Sequence, residues 1–261
     1  MNTPDPRLGR LILLGEEYGT YGAVGATNVG SNAAAAISVG AVPDSPSHQF
    51  KADKSVPNED ALCVMEAGDW AAYAVADAHY GPESSHMLIA RLHKMLKKIR
   101  PTDPDHLGQM VEFLRQGDPA FTDSETTLLI VIYDRTTRTG FGVSFGDSSF
   151  VIVEAGGSAK TLNQRDSRYV TARSGPSLRN GAHFSFSANP GDILLTFTDG
   201  IDECNYRSPI TSVRPHHIEA VVTKANGDPL VVAKQLTVTA LRGVDGNPGG
   251  EDNIAIIAAL A

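Results

Sequence analysis

The chain has 261 residues, of which 41% are hydrophobic and 20% charged, and it carries a formal net charge of −8. That length can bury a sizeable core within one mixed α/β domain. The acidic balance offers no positive field for nucleic acid or an anionic membrane, which excludes partners of both kinds.

The amino terminus, MNTPDPRLGRLILLGEEYG, has no basic leader, and its apolar run is too short for a signal peptide or a membrane span. From Leu8 to Gly40 the chain is rich in Gly and Ala, commits to no single period and predicts short strands and turns; residues 1–36 are the most weakly assigned part. Val42 to Val56 reads as a loop. Two apolar runs, Ala61 to Glu66 and Trp70 to Ala76, flank Ala-Gly-Asp and predict a β-hairpin ending at Asp77. Leu88, Ile89, Leu92, Met95, Leu96 and Ile99 recur at helical spacing, with Lys94, Lys97 and Lys98 on the other face, and a second helix is expected over 105–115. Thr127 to Asp134, Thr139 to Phe145 and Ser149 to Glu154 read as three strands of a meander. Gly156 to Asn189 is polar and predicts an irregular or mobile segment. A strand over 193–198, helices from Pro215 and from Pro229 to Arg242, and a last strand over 253–259 complete the chain, without an internal repeat. Blocks of strands with helices between them predict an α+β layered sandwich rather than strict strand-helix alternation. Cys63 and Cys204 both lie in or beside apolar stretches, as small buried hydrophobes of a reducing cytoplasm would.

Acidic residues recur at the ends of these strands: Asn58-Glu59-Asp60 before ALCVMEA, Asp77 after WAAYAVA, Asp147 after GFGVSFG, Asp199 after ILLTFT and Asp252 before NIAIIAAL. Ionised carboxylates beside buried strands need a balancing charge, and no run of Lys or Arg accompanies them. A hard divalent cation held through oxygen supplies that charge, so the chain reads as a metal-dependent enzyme. Asp77-Ala78-His79-Tyr80-Gly81 is the sharpest local motif, joining a carboxylate, an imidazole and a glycine turn between strand and helix. Asp77 as a helix cap is disfavoured because the helix begins several residues later; the imidazole of His79 suits a general acid or base. Glu59 and Asp60 are adjacent, so on an extended strand their side chains take opposite faces and at most one is a direct ligand, the other standing behind it. Gly142-Val143-Ser144-Phe145-Gly146 matches a hydrolase nucleophile elbow, but strand-like residues follow where that motif requires a helix.

Taken in order, Asn58-Glu59-Asp60-Ala61, Asp77-Ala78-His79-Tyr80-Gly81, Gly146-Asp147-Ser148, Asp199-Gly200 and Glu251-Asp252-Asn253 resemble the motifs of the metal-dependent protein phosphatases, the PPM or type 2C family. The resemblance runs from about Ile37 to the carboxyl terminus. It implies one domain over 1–261, a four-layer α/β-β/α sandwich of two mainly antiparallel sheets, and a site for two Mg²⁺ or Mn²⁺ ions with a third, weaker one. By that analogy Asp77 bridges two ions and Ala78 offers its backbone carbonyl. Asp199 and Asp252 hold the second ion, Glu59 binds directly or through water, Asp60 stands behind, and Asp147 shares a third metal with Asp199. His79 matches the general acid, and residues 156–189 span the variable flap. The implied chemistry is attack on phosphoserine or phosphothreonine of a phosphoprotein substrate by a metal-bridging hydroxide.

Two positions depart from the family pattern. The family usually has an arginine four residues before the glutamate of its first motif, where this chain has Ser55. Lys54 or Lys51 supplies a point charge rather than a bidentate fork there, and Arg173 or Arg179 of the flap is a further candidate for holding phosphate. Ala78 replaces a glycine, which a carbonyl ligand tolerates. The missing arginine motivates a second reading, a pseudophosphatase that binds phosphoproteins without turning them over; a serine hydrolase using Ser144 is a remote third.

Overall fold

A computed structural model describes residues 8–49, 56–116, 124–171 and 181–261. Lys51, Lys54, Ser55, Arg173 and Arg179 lie outside the described residues.

The amino-terminal segment is built into both sheets. Strand β1 (Leu8–Leu14) pairs antiparallel with β4 (Asp60–Ala67), while β2 (Gly25–Val29) and β3 (Ala33–Ser38) form a hairpin turned at Gly30 with φ of 60°. A one-turn helix, α1 (Pro46–Gln49), interrupts the loop before β4. The hairpin of β4 and β5 (Trp70–His79) pairs Asp60 with Asp77. Helices α2 (Glu83–Leu96) and α3 (Pro104–Arg115) follow, and Asp103 caps α3 by accepting from His106 N at 2.8 Å. Next come β6 (Glu125–Thr126), β7 (Leu128–Asp134), β8 (Thr139–Phe145), β9 (Ser149–Val153), β10 (Ala159–Thr161), β11 (Ala182–Ser187) and β12 (Ile193–Phe197). Helices α4 (Pro215–Lys224) and α5 (Pro229–Arg242) precede β13 (Ile254–Leu260).

One sheet has the order β1-β4-β5-β7-β8-β11 with β6 beside β5; the other runs β10-β9-β12-β13-β3-β2. All pairings are antiparallel. Alternation along each strand produces the layers. In β5, Ala72, Ala74 and Ala76 face α2 and α3, while Ala71, Tyr73 and Val75 face the second sheet. In β13, Ala255 and Ile257 meet the first sheet, and Ile254 and Ile256 meet the outer helices. The result is the expected α/β-β/α sandwich.

Two expectations need correction. The three-strand meander fails at its third member, because β9 pairs with β12 and β10 in the second sheet and β8 pairs with β11. The cause lies in Gly146-Asp147-Ser148: Gly146 has φ of 88°, a conformation that favours glycine, and the turn carries the chain across to the other sheet. The described parts of 156–189 are likewise less irregular than their polarity suggests, since β10 and β11 close one edge of each sheet.

Candidate active site

The strand period places the carboxylates before any ligand is considered. Asp77 has the parity of Ala71, Tyr73 and Val75, so β5 aims it toward the gap between the sheets. Asp60 has the parity of Leu62 and Val64 and also turns inward, where Thr198 Oγ1 donates to its Oδ2 at 2.7 Å. Thr198 directly follows β12 and is tied to Ala255 twice: its N–H donates to Ala255 O at 3.0 Å and its Oγ1 accepts from Ala255 N at 2.9 Å. Asp60 therefore joins the sheets from beneath, and Asp199 follows at the rim.

Asn253 fixes the opposite wall. Its Oδ1 accepts from Glu59 N at 2.9 Å, its Nδ2 donates to Val39 O and Pro57 O, and its own N–H donates to Asp252 Oδ1 at 2.8 Å. Glu59 in turn accepts at Oε1 from Gly81 N at 2.9 Å, which folds the Asp77–Gly81 turn over it. Thr127 Oγ1 accepts from Asp77 N at 3.0 Å, and Thr127 N donates to Asp77 O at 2.8 Å. Pro82 stands at the N-cap of α2 and, among the described residues, no side chain caps that end, so Asp77 is not spent as a helix cap.

These restraints gather Glu59, Asp77, Asp147, Asp199, Asp252 and His79 around one cavity of about 450 Å³. Asp60 and Ala78 are fully buried and do not line it. Sequence reasoning missed several other lining residues: Glu203, Tyr169, Tyr80 and Tyr206. Glu203 had a signal, standing four residues after Asp199 so that its N–H donates to Asp199 O at 2.7 Å. Tyr169 lay in a polar stretch without periodicity; its ring meets that of His79 edge-on at 4.9 Å. His79 Nδ1 also lies 3.6 Å from Glu125 Oε1. A larger groove of about 990 Å³ lies at the far end of the first sheet, but of its lining carboxylates Asp134 pairs with Arg100 and Asp103 caps α3.

The electrostatics of the smaller cavity call for a cation. Burial, then the charges of Asp77, Asp252, Asp147 and Glu203, push the Asp199 carboxyl well above its ordinary pKa. Burial also raises Asp147, against the pull of Arg165. Asp199 Oδ1 is buried without a hydrogen-bond partner among the described residues. A set of oxygen donors that repel one another, one of them orphaned, fits a hard divalent cation. Ser144 lies buried in β8 and accepts from Asn163 Nδ2 at 3.0 Å, so it is a strand residue rather than a nucleophile elbow.

The two-sheet sandwich with its acidic rim is of the type 2C (PPM) phosphatase class. The model of the stage II sporulation protein E (SpoIIE) family matches residues 81–260, and the chain belongs to that family. It is 26% identical over 189 residues to the probable protein phosphatase 2C 55 of Arabidopsis thaliana, covering 70% of this chain and 38% of that protein. The catalytic domain of the serine/threonine protein phosphatase PstP, solved with 2 manganese ions, superposes with a TM-score of 0.65 at 20% identity over 91% of this chain and 99% of that one. RsbX, solved with magnesium, gives a TM-score of 0.59 at 13% identity over 92% and 100%. Among the described residues no helix is long and apolar enough to cross a membrane.

Proposed function

We propose that this protein is a metal-dependent phosphatase that removes phosphate from phosphoserine or phosphothreonine of a protein substrate in a reducing, cytoplasmic compartment. The observation that carries this reading is the convergence of Glu59, Asp77, Asp147, Asp199 and Asp252 from separate strand ends on one cavity beside His79. Asp77, Asp199, Asp252 and Glu59, with the Ala78 carbonyl, are the residues we assign to two Mg²⁺ or Mn²⁺ ions. Bound there, the ions would offset the carboxylates, attract a phosphate dianion and lower the pKa of water so that a hydroxide nucleophile is available near neutral pH. Asp60 keeps the two sheets in register behind that set through Thr198. His79, half-exposed at the mouth with Glu125 near its Nδ1, is placed to hand a proton to the departing alcohol oxygen.

His79→Gln tests the proton transfer. The variant should turn over a phosphothreonine peptide roughly 100- to 10,000-fold more slowly, the range for a positioned acid, with Mn²⁺ affinity unchanged. An aryl phosphate with a good leaving group should be affected less. Equal losses on both substrates would remove His79 from the proton-transfer step.

The carboxyl shifts also predict how metal and pH trade. Asp199 and Asp147 are raised, and burial lifts Asp202 to about 6. An acid with a higher pKa folded than unfolded binds its proton more tightly when folded, so the stability it lends at low pH is lost as pH rises through the folded value. For Asp202 that window lies between about pH 4 and 6, and the raised Asp199 carboxyl acts in the same direction. Divalent ions held by the carboxylates would replace the missing protons. Saturating Mn²⁺ should raise the melting temperature more at about pH 8 than at about pH 5. An equal rise at both pH values would mean that the ion binds elsewhere.

A further inference from the structure

On its Asp147 side the carboxylate cluster already has a positive charge of its own. Asn163 Oδ1 accepts from Phe150 N at 2.7 Å, and Asn163 Nδ2 donates to Ser148 O at 2.8 Å. Asp166 N donates to Gly146 O at 2.9 Å, while Asp166 Oδ1 accepts from Gly146 N at 3.3 Å. The 163–166 segment is thereby zipped onto the turn that bears Asp147, and Arg165 is delivered beside it. Arg165 Nη1 donates to Asp202 Oδ2 at 3.1 Å and Nη2 donates to Glu203 Oε1 at 2.8 Å. Ser149 Oγ, from the first residue of β9, holds the same Asp202 oxygen at 3.1 Å. The guanidinium is thus pinned at both nitrogens between the Asp147 turn and the Asp199–Glu203 turn.

We propose that Arg165 is a fixed internal cation that takes the place of a third divalent ion, so that this cluster holds two ions and none between Asp147 and Glu203. The inference rests on the reading that the carboxylates bind divalent metal. Arg165 occupies Glu203 Oε1 with a hydrogen bond, which withdraws an oxygen of this cavity-lining carboxylate from any ion beside Asp147 and Asp199. A guanidinium cannot shed its proton to make way for a metal. The guanidinium is held there by hydrogen bonds to Asp202 Oδ2 and Glu203 Oε1, so its charge stays fixed at that side of the cavity. A dication entering beside that fixed charge would meet its repulsion.

Mn²⁺ titration by calorimetry, with equilibrium dialysis as a check on stoichiometry, tests this directly. The wild-type protein should take up two ions, and Asp147→Asn should leave that number unchanged. Arg165→Gln should gain a third ion, or raise its affinity at least about tenfold, and Arg165→Lys, which keeps the charge, should stay at two. Three ions in the wild type with one lost in Asp147→Asn would overturn the proposal, as would Arg165→Gln binding two ions only. If Arg165→Gln does not fold, the comparison of wild type with Asp147→Asn decides alone. A wild type that binds no Mn²⁺ would overturn the metal reading and this inference with it, whereas a three-ion wild type overturns this inference and leaves that reading standing.

Discussion

Asp199→Asn should abolish measurable phosphatase activity and weaken Mn²⁺ binding by more than the roughly 10- to 100-fold attached to the partners behind a ligand. Asp199 closes the strand β12 at the cavity rim, its Oδ1 has no hydrogen-bond partner among the described residues, and four other carboxylates raise its pKa. An amide keeps the shape and removes the charge. The same substitution should therefore stabilise the metal-free protein above neutral pH, where the native carboxylate repels Asp77, Asp147 and Asp252. Opposite signs for metal affinity and metal-free stability are the signature of a residue kept for function at a cost to the fold. Thermal melts of both proteins with chelator and with Mn²⁺ measure the two effects together. A variant that is less stable without metal than the wild type would show that Asp199 serves the fold instead.

Gly200→Ala should be as damaging by a different route. A Cβ at this position would lie 1.7 Å from Asn253 O and 2.8 Å from Asn253 C, so the backbone entering β13 must move. Asn253 is the clamp that holds Glu59 N, Val39 O and Pro57 O, and it precedes the paired strand at Ile254. Overpacking a core costs about 1–3 kcal/mol, and a backbone contact this close puts the change at the upper end or beyond. For a domain of this size each kcal/mol lowers the melting temperature by about 2–4 °C. Any folded fraction should bind Mn²⁺ poorly, since Glu59 and Asp252 lose their common support. Wild-type melting and wild-type Mn²⁺ affinity in Gly200→Ala would contradict the close approach of these two turns.

Much of this architecture was legible because its signals are local. The β4–β5 hairpin followed from two apolar runs around Gly68, and Asp77 stood out because it directly follows the run Trp70 to Ala76. Glu59 and Asp60 separated as strand parity requires: Glu59 lines the cavity and Asp60 reaches Thr198 behind it. What escaped was non-local. Nothing in GFGVSFGDSSFVIV tells a chain that turns back in its own sheet from one that crosses to the other, since strands buried on both faces look alike in either case. Glu203 offered only its spacing from Asp199, and Tyr169 and Arg165 lie in a polar segment while their partners His79, Asp202 and Glu203 are far away in sequence. The glycine- and alanine-rich start was opaque for a related reason: Ala33 to Ala36 carry no alternation because β3 is buried on both faces.

The central claim is that the carboxylate rim is a metal-dependent phosphatase site, and the most direct measurement is hydrolysis of an aryl phosphate by purified protein in Mn²⁺, before and after chelation. The account predicts turnover that disappears with the metal and returns when Mn²⁺ is restored. Full occupancy by Mn²⁺ with no turnover of either the aryl phosphate or a phosphothreonine peptide would contradict it and make the protein a phosphoprotein-binding module, with Ser55→Arg the first substitution to try.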